Sequence, residues 1–362
     1  MLVRQTAPVI GAVDNVYQRP GEWQVNLGLR ALKSDTHYRL DERQHEREEL
    51  GTFVVNRQHV VDLSVGYAFT KRISVSAGLP YVSASWSIPS PTAPVLGPRA
   101  QQDARGFGDL SVTGRTWLFD PAGPKTGNIV VGIGMKAPTG DYRAQDRYPD
   151  RNGHNNQLRF VDQSIQPGDG GWGVLLEVQG FKRLGPVLMF GSGTYLANPR
   201  DTNGTPSLTV TRLPPGAQPA ASSFDRLVNS VPDQYVTRVG AAIPLHGKLG
   251  ASAAYRIEGQ RRYDLIGESH GFRRPGVAMF VEPGLTYTAG RRGLFVFSVP
   301  VTVYRNRKPD PYTGLQGDAT FPKVVVLASY AIRFGGQKPQ PAAPTTPWTK
   351  TGLRNQTRVR RR

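Results

Sequence analysis

The sequence predicts an all-β fold, a closed antiparallel transmembrane β-barrel of about twelve strands. Three observations predict it: short runs in which apolar and polar residues alternate, connections that alternate between short and long, and aromatic residues near the ends of the runs. The chain has 362 residues, no Cys, and a hydrophobic fraction of only 38%. That fraction fits a barrel, because a transmembrane strand needs about ten residues and only every second one must be apolar.

The alternation has a period of two residues, which is typical of β-strands. In the run 59–69 one face is apolar, whereas the other carries Asp62, Ser64 and Gly66. No stretch approaches 18 uninterrupted apolar residues, so no transmembrane helix is predicted. The twelve predicted strands are 22–33, 59–69, 72–81, 108–119, 128–138, 172–181, 186–196, 234–244, 249–258, 277–288, 294–305 and 323–334.

The connections between these runs alternate in length along the chain. Outer-membrane barrels have short turns at the periplasmic end and long loops outside, so the alternation predicts a bacterial outer-membrane protein with both termini in the periplasm. The short turns are 70–71, 120–126, 182–185, 245–248 and 289–293, and the long connections are 34–56, 87–105, 139–171, 197–232, 259–276 and 306–322.

Aromatic residues cluster near the predicted strand ends. Amphipathic rings settle at membrane–water interfaces, so this placement predicts two girdles. The periplasmic girdle would contain Trp23, Tyr67, Phe69, Phe119, Phe181, Tyr287, Phe295 and Phe334, and the outer girdle Tyr81, Tyr195, Tyr235 and Tyr304.

The formal net charge is +18, but the basic residues are spread over strands, loops and a tail. No single motif concentrates them, so a nucleic-acid partner is not predicted. The tail contains seven basic and no acidic residues, and its composition predicts disorder. We therefore divide the chain into an N-terminal periplasmic segment (1–20), the barrel (21–334) and a disordered basic tail (335–362).

Residues 1–13 contain no apolar run of the length that a secretory signal requires. An exported barrel needs such a signal. We therefore expect either a misplaced start codon or a signal that this chain omits.

Two segments carry a resemblance to a known family. The run Gly106 to Leu110 reads GFGDL, and the run Gly132 to Asp141 ends APTGD. Together they resemble the outer-membrane family labelled putative MetA-pathway of phenol degradation, whose members have GxGDL and LPTGD elements. Here Ala137 stands where the family usually has Leu. The resemblance implies a transporter-like barrel, linked in some members to uptake of aromatic or other hydrophobic compounds.

The last predicted strand alternates outward apolar residues and ends on Phe334. This resembles the C-terminal signal of proteins that the barrel-assembly machinery inserts, although such a signal normally ends the chain. The resemblance implies that this machinery is a partner during insertion, beside the outer-membrane lipid that surrounds the barrel.

If the apolar faces contact lipid, the opposite faces line the interior. Ionisable groups at membrane depth must contact water or a partner, so they line a wet channel or form interior ion pairs. We interpret the interior as a narrow polar passage for a small-molecule solute, with no cofactor and no metal. The predicted pore-lining residues are Arg30, Asp62, Asp109, Arg115, Lys136, Glu177, Arg238, Arg256, Glu258 and Glu282.

Two other classes of function stay open. An outer-membrane lipid hydrolase would need a Ser–His pair on the lipid-facing wall, for which His59 with Ser83 or Ser85 is a candidate. The motifs GxSxG, HExxH and Walker A are missing, and no catalytic residue is assigned. A structural or adhesive barrel would instead bind a partner through its long loops.

The loop 139–171 is a candidate lid or constriction. Its oxygen-bearing residues include Asp146 and Asp150, which are of the type that binds Ca²⁺. Their spacing does not match an EF-hand, so we interpret this segment, including His154, as a solvated loop without a metal.

Overall fold

A computed structural model describes residues 17–91, 96–121, 126–290, 292–312, 314 and 316–336. The predicted disordered tail lies outside the described residues from position 337 onward, as does the N-terminal segment before Tyr17. Helices in the described part are short, at His45–Glu49, Leu208–Thr211 and Ala221–Arg226, and none is long and apolar enough to cross a membrane.

Twelve antiparallel strands form the wall, and the prediction of a closed twelve-stranded barrel is confirmed. β4 and β11 are each built from two segments, which are joined here under one label. The strands are β1 (Glu22–Arg39), β2 (Val55–Ala68), β3 (Ile73–Pro91), β4 (Leu96–Phe107 and Leu110–Trp117), β5 (Gly127–Ala137), β6 (Gly173–Leu184), β7 (Val187–Ala197), β8 (Gln234–Pro244), β9 (Leu249–Gln260), β10 (Gly276–Ala289), β11 (Gly293–Ser298 and Val301–Arg307) and β12 (Ala319–Gly335).

Each strand pairs with the next, and the barrel closes where β12 pairs with β1 from Glu22↔Gly335 to Tyr38↔Ala319. Closure leaves no free edge in the wall, as a lipid environment requires. The wall is irregular at two places. β4 breaks at 108–109 and β11 at 299–300, where Pro300 cannot donate a ladder hydrogen bond.

The outward faces form an apolar band. Leu27, Ile133, Val239 and Leu285 are each more than half exposed in the isolated chain. A continuous apolar surface of this kind is not expected to face water, and it matches the hydrocarbon layer of a membrane.

Aromatic rings border this band at the end with the short turns. Tyr67 lies 4.8 Å from Trp23 and 4.9 Å from Phe69, measured between ring centroids. Phe181, which we predicted in this girdle, points into the barrel instead. It shares the inward face of β6 with Glu177, and its ring contacts Trp117 at 6.1 Å. Phe181 points inward because the two-residue period of a strand places residues 177, 179 and 181 on the same face.

Several strands extend well beyond the band at the end with the long loops. The prediction of a long loop at 87–105 is wrong, because β3 continues to Pro91 and β4 begins at Leu96. Buried and exposed residues still alternate there, but Pro89, Pro91 and several polar residues interrupt the apolar pattern by which strands are recognised in the sequence.

The long loops fold over and into the mouth of the barrel, where two apolar clusters hold them. One cluster joins β2, β3 and β4 to the loop 138–172, and it includes Val60, Trp86, Tyr148 and Ile165. The other lies against β1, β10 and β12, and it includes Phe280 and Phe321. A cavity lies between these two clusters.

Candidate functional site

All ten side chains predicted to line a pore lie in the barrel interior or at its mouth. Their inward position follows from the parity of each strand, because the residues beside them on the opposite parity are exposed to the outside. Whether they line a passage for solutes stays a prediction.

Five of these residues form one connected group, which we call the lumen network: Arg30, Arg238, Arg256, Glu258 and Glu282. Arg30 Nη2 lies 2.7 Å from Glu258 Oε1, and Arg256 Nη2 lies 2.7 Å from Glu258 Oε2. Arg238 Nη2 lies 2.9 Å from Glu282 Oε1, and the Arg256 and Glu282 side chains approach to 3.9 Å.

The lumen network crosses the interior. Arg30 lies on β1 and Glu258 on β9, and in the closed wall these strands are separated by β10, β11 and β12. All five side chains are 7% exposed or less. Buried charges are tolerated only when paired and hydrogen bonded, and here three guanidinium groups surround two carboxylates.

A second ion pair spans a neighbouring strand. Arg115 Nε on β4 donates to Glu177 Oε2 on β6 at 2.7 Å, passing over β5 at Gly132. A Cβ atom at Gly132 would lie 3.1 Å from Arg115 Cγ and 3.3 Å from Glu177 Cβ. Glycine at this position therefore leaves room for the pair.

The GFGDL and APTGD segments contact each other at the top of the wall. The Asp109 carboxylate accepts hydrogen bonds from the Gly140 amide at 3.0 Å and the Asp169 amide at 3.1 Å. Lys136 Nζ donates to both carboxylate oxygens of Asp169 and lies 3.7 Å from Asp109 Oδ2. Gly140 and Gly168 approach so closely that a Cβ at either would clash with the other's backbone. The two motifs thus fasten both ends of the loop 138–172 to the wall.

The middle of that loop enters the barrel mouth. Asp162 is fully buried and pairs with Arg274 at 2.7 Å, and Ser164 accepts a 2.5 Å hydrogen bond from the Asn56 amide of β2. Burial would raise the pKa of Asp162, but the Arg274 guanidinium outweighs it and lowers that pKa from its ordinary value. The loop is therefore anchored by charge as well as by the apolar cluster around Tyr148.

The oxygen-bearing turn in the same loop is closed by its own backbone. Asp150 accepts hydrogen bonds from the Asn152 amide, the His154 amide and the Asn155 side chain. Asp146 accepts one from the Asp103 amide at 2.7 Å. In the described part of the chain no group of three or more acidic or histidine side chains is arranged to hold a metal ion.

Between the two apolar clusters lies a cavity of about 210 Å³, which we call the vestibule. Glu258 of the lumen network borders it, together with side chains from five loops. Pockets for drug-sized ligands measure ~300–1,000 Å³, so the vestibule suits a smaller molecule. Its lining includes Leu32, His37, Arg47, Trp86, Ile88, Leu208, Arg212, Arg274, Asp318 and Phe321.

Below the vestibule the two sides of the interior differ. On β8, β9 and β10 the charged residues of the lumen network lie buried, and we call this the packed side. Nearer the short turns its inward residues are small, among them Gly240, Ser252 and Gly284. On β2 and β3 the inward residues are small and half-buried, and we call this the small-residue side. Its members are Asp62, Ser64, Gly66, Ser74, Ser76 and Gly78.

The candidate Ser–His pair lies on the outer surface. His59 on β2 stands directly opposite Ser83 on β3, and its flanking partners in the same row are Ala31 and, beyond Ser83, Arg105. His59 forms no hydrogen bond within the described residues, and this row offers no carboxylate or amide to orient its ring. The geometry lacks the third group that activates a serine nucleophile.

Arg212, Asp162, Asp169 and Arg274 contribute to the mouth of the barrel, and sequence reasoning missed them. All four lie in long connections, where no residue period indicates which side chains point inward. A weak signal was present in the Gly-rich ends of the loop 138–172, whose tight approach to the wall needs residues without a Cβ.

No protein-family model matches the sequence, so the resemblance to the phenol-degradation family is not confirmed. A search of curated proteins finds no match. Among solved structures, the chain is similar to an outer membrane channel from Pseudomonas putida F1, with 13% identity, 88% of this chain and 97% of that chain covered, and a TM-score of 0.55. The fold is that of an outer-membrane β-barrel. A toluene transporter from Ralstonia pickettii also matches, with 11% identity, coverage of 88% and 90%, and a TM-score of 0.41.

Proposed function

We propose that this chain is a channel of the bacterial outer membrane that passes small solutes, hydrophobic or aromatic compounds among them. The observation that carries the proposal is the small-residue side. Its inward serines and glycines keep partial exposure inside a closed wall, whereas a barrel that served only as a scaffold would be expected to fill this space with larger side chains.

The vestibule supports the same proposal. It provides a site of small-molecule size above the lumen network, and both apolar and charged side chains border it. The chemical class of the solute rests on the sequence resemblance of the GFGDL and APTGD segments. Insertion by the barrel-assembly machinery is likewise proposed from the alternation of β12.

The test is single-channel conductance of purified protein in planar bilayers, with two variants at adjacent positions of β2. Ser64→Phe adds a ring inside the barrel, and Leu63→Phe adds one on the lipid face, where Leu63 is 46% exposed. We expect Ser64→Phe to lower the conductance and Leu63→Phe to leave it unchanged, because successive residues of a strand face opposite sides.

Equal conductance in both variants would show that ions do not pass along the small-residue side. A wild-type protein that never opens would contradict the channel proposal and favour an adhesive or structural barrel.

A further inference from the structure

The charges that border the vestibule are paired, with one exception. Asp318 contacts Arg47 at 2.5 Å and His37 Nδ1 at 3.3 Å. Glu258 is held by two guanidinium groups of the lumen network, and Arg274 is held by Asp162. Each carboxylate at the vestibule therefore already has its cationic partner.

Arg212 is the exception among the described residues that border the vestibule. No carboxylate lies within ion-pair distance of its guanidinium, and its Nε has no hydrogen-bond partner. Arg212 Cζ lies 5.7 Å from the ring centroids of both Trp86 and Tyr148. The rings hold the cation in place, but they do not satisfy its N–H groups.

Burial of the Arg212 guanidinium disfavours its charged form and lowers the pKa of Arg212 from its ordinary value. Since an arginine side chain stays protonated in proteins, the half-buried charge remains. An anion entering the vestibule would supply the missing acceptors, whereas a neutral solute would leave them unmade.

The side chains next to Arg212 are apolar. Trp86 and Ile88 from β3 and Leu208 from the short helix before Arg212 border the same cavity. A ligand that fits both features has a small ring and one anionic group.

We propose that the vestibule binds a small aromatic carboxylate, whose carboxylate accepts hydrogen bonds from the Arg212 guanidinium while its ring packs against Trp86 and Leu208. This inference names the solute class of the proposed channel and so rests on that function, but binding is measured without transport.

The experiment is isothermal titration calorimetry on the full chain in detergent micelles, with benzoate as the anionic probe. Benzyl alcohol and benzylamine present the same ring with a neutral and a cationic group. Arg212→Gln removes the charge, and Arg147→Gln, at an exposed position of the neighbouring loop 138–172, is the matched control. Conductance of the same preparations is recorded in parallel.

We expect benzoate to bind more tightly than benzyl alcohol, and benzylamine to bind weakest. Loss of a charge-assisted hydrogen-bond pair in Arg212→Gln should weaken benzoate binding about ten- to hundredfold, with the Arg147→Gln affinity unchanged. The three ligands compared on the wild-type protein still test the inference if Arg212→Gln fails to fold.

Undiminished benzoate binding by Arg212→Gln, or a wild-type protein that binds benzyl alcohol as tightly as benzoate, would overturn the inference. Conducting protein that does not bind benzoate would overturn it as well, while leaving the channel proposal intact. Arg212-dependent binding in a protein that never conducts would support the site and contradict the channel.

Discussion

The packed side and the small-residue side of the barrel interior are built from the same alternating strands, yet they differ in what they enclose. On β8 to β10 the inward residues of the lumen network are long and charged, and the Glu258 and Glu282 carboxylates are 2% exposed or less. On β2 and β3 below the vestibule they are serines, glycines and Asp62, and these remain half-buried. The comparison teaches that residue alternation builds the wall, whereas the length and charge of the inward residues decide whether space remains beside it.

The largest expected effect comes from breaking the packed side. Glu258→Gln leaves Arg30 and Arg256 without their shared carboxylate in a buried site. Removing one partner of a buried ion pair costs about 3–5 kcal/mol, because the remaining charge stays desolvated. The free energy of unfolding, measured by urea titration in lipid vesicles, should fall by this amount.

Ser64→Ala on the small-residue side is the matched control for that measurement. It should change the free energy of unfolding by no more than about 0.5 kcal/mol, since it disturbs no buried ion pair. Similar losses in the two variants would mean that the two sides do not differ in packing.

A smaller effect is expected where the Arg115–Glu177 pair crosses β5. Gly132→Val would place methyl groups against Arg115 and Glu177 and should destabilise the barrel by about 1–3 kcal/mol through overpacking. Gly114→Val is the control, because the nearest neighbour of a Cβ there lies 3.8 Å away. Thermal unfolding followed by circular dichroism would compare them, and a greater loss in the Gly114 variant would refute the assigned role of Gly132.

The smallest effect concerns the loops at the vestibule and depends on pH. Burial would raise the pKa of Asp318, but His37 and Arg47 outweigh it and lower that pKa to about 2. Since the folded pKa lies below the unfolded value of about 3.9, this carboxylate stabilises the fold fully above pH ~4 and loses its contribution as the pH falls toward 2.

Asp318→Asn should therefore be less stable than the wild type by about 1–2 kcal/mol at pH 6, and the two should converge near pH 2. Unfolding free energies measured at several pH values would check this. A difference that stays constant with pH would show that the Asp318 charge is not responsible.

The strands and their inward faces could be predicted from the sequence because a two-residue period is a local signal. It placed Arg30 and Glu258 inside but could not pair them, since their contact depends on how β1 and β9 face each other across the closed barrel. Phe181 was misplaced for a related reason: its position near a strand end suggested the girdle, whereas its parity with Glu177 points inward.

The vestibule could not be predicted in this way. Arg212, Asp162 and Arg274 lie in connections without a residue period, and only the folded loops bring them together. The GFGDL and APTGD segments were noticed as a resemblance, but their physical role in fastening the loop 138–172 depends on contacts between the Asp109 carboxylate and the Gly140 and Asp169 amides.

Pairing of β12 with β1 has a consequence for biosynthesis. Glu22 pairs with Gly335 although nearly the whole chain lies between them in sequence. The wall therefore cannot be completed until the final strand has been synthesised and has reached the membrane. A chain stopped before Ala319 would expose the ladder groups of β1 and β11 to hydrocarbon, where each unsatisfied group costs several kcal/mol. The wall is therefore complete only when the last seventeen-residue strand has paired on both sides.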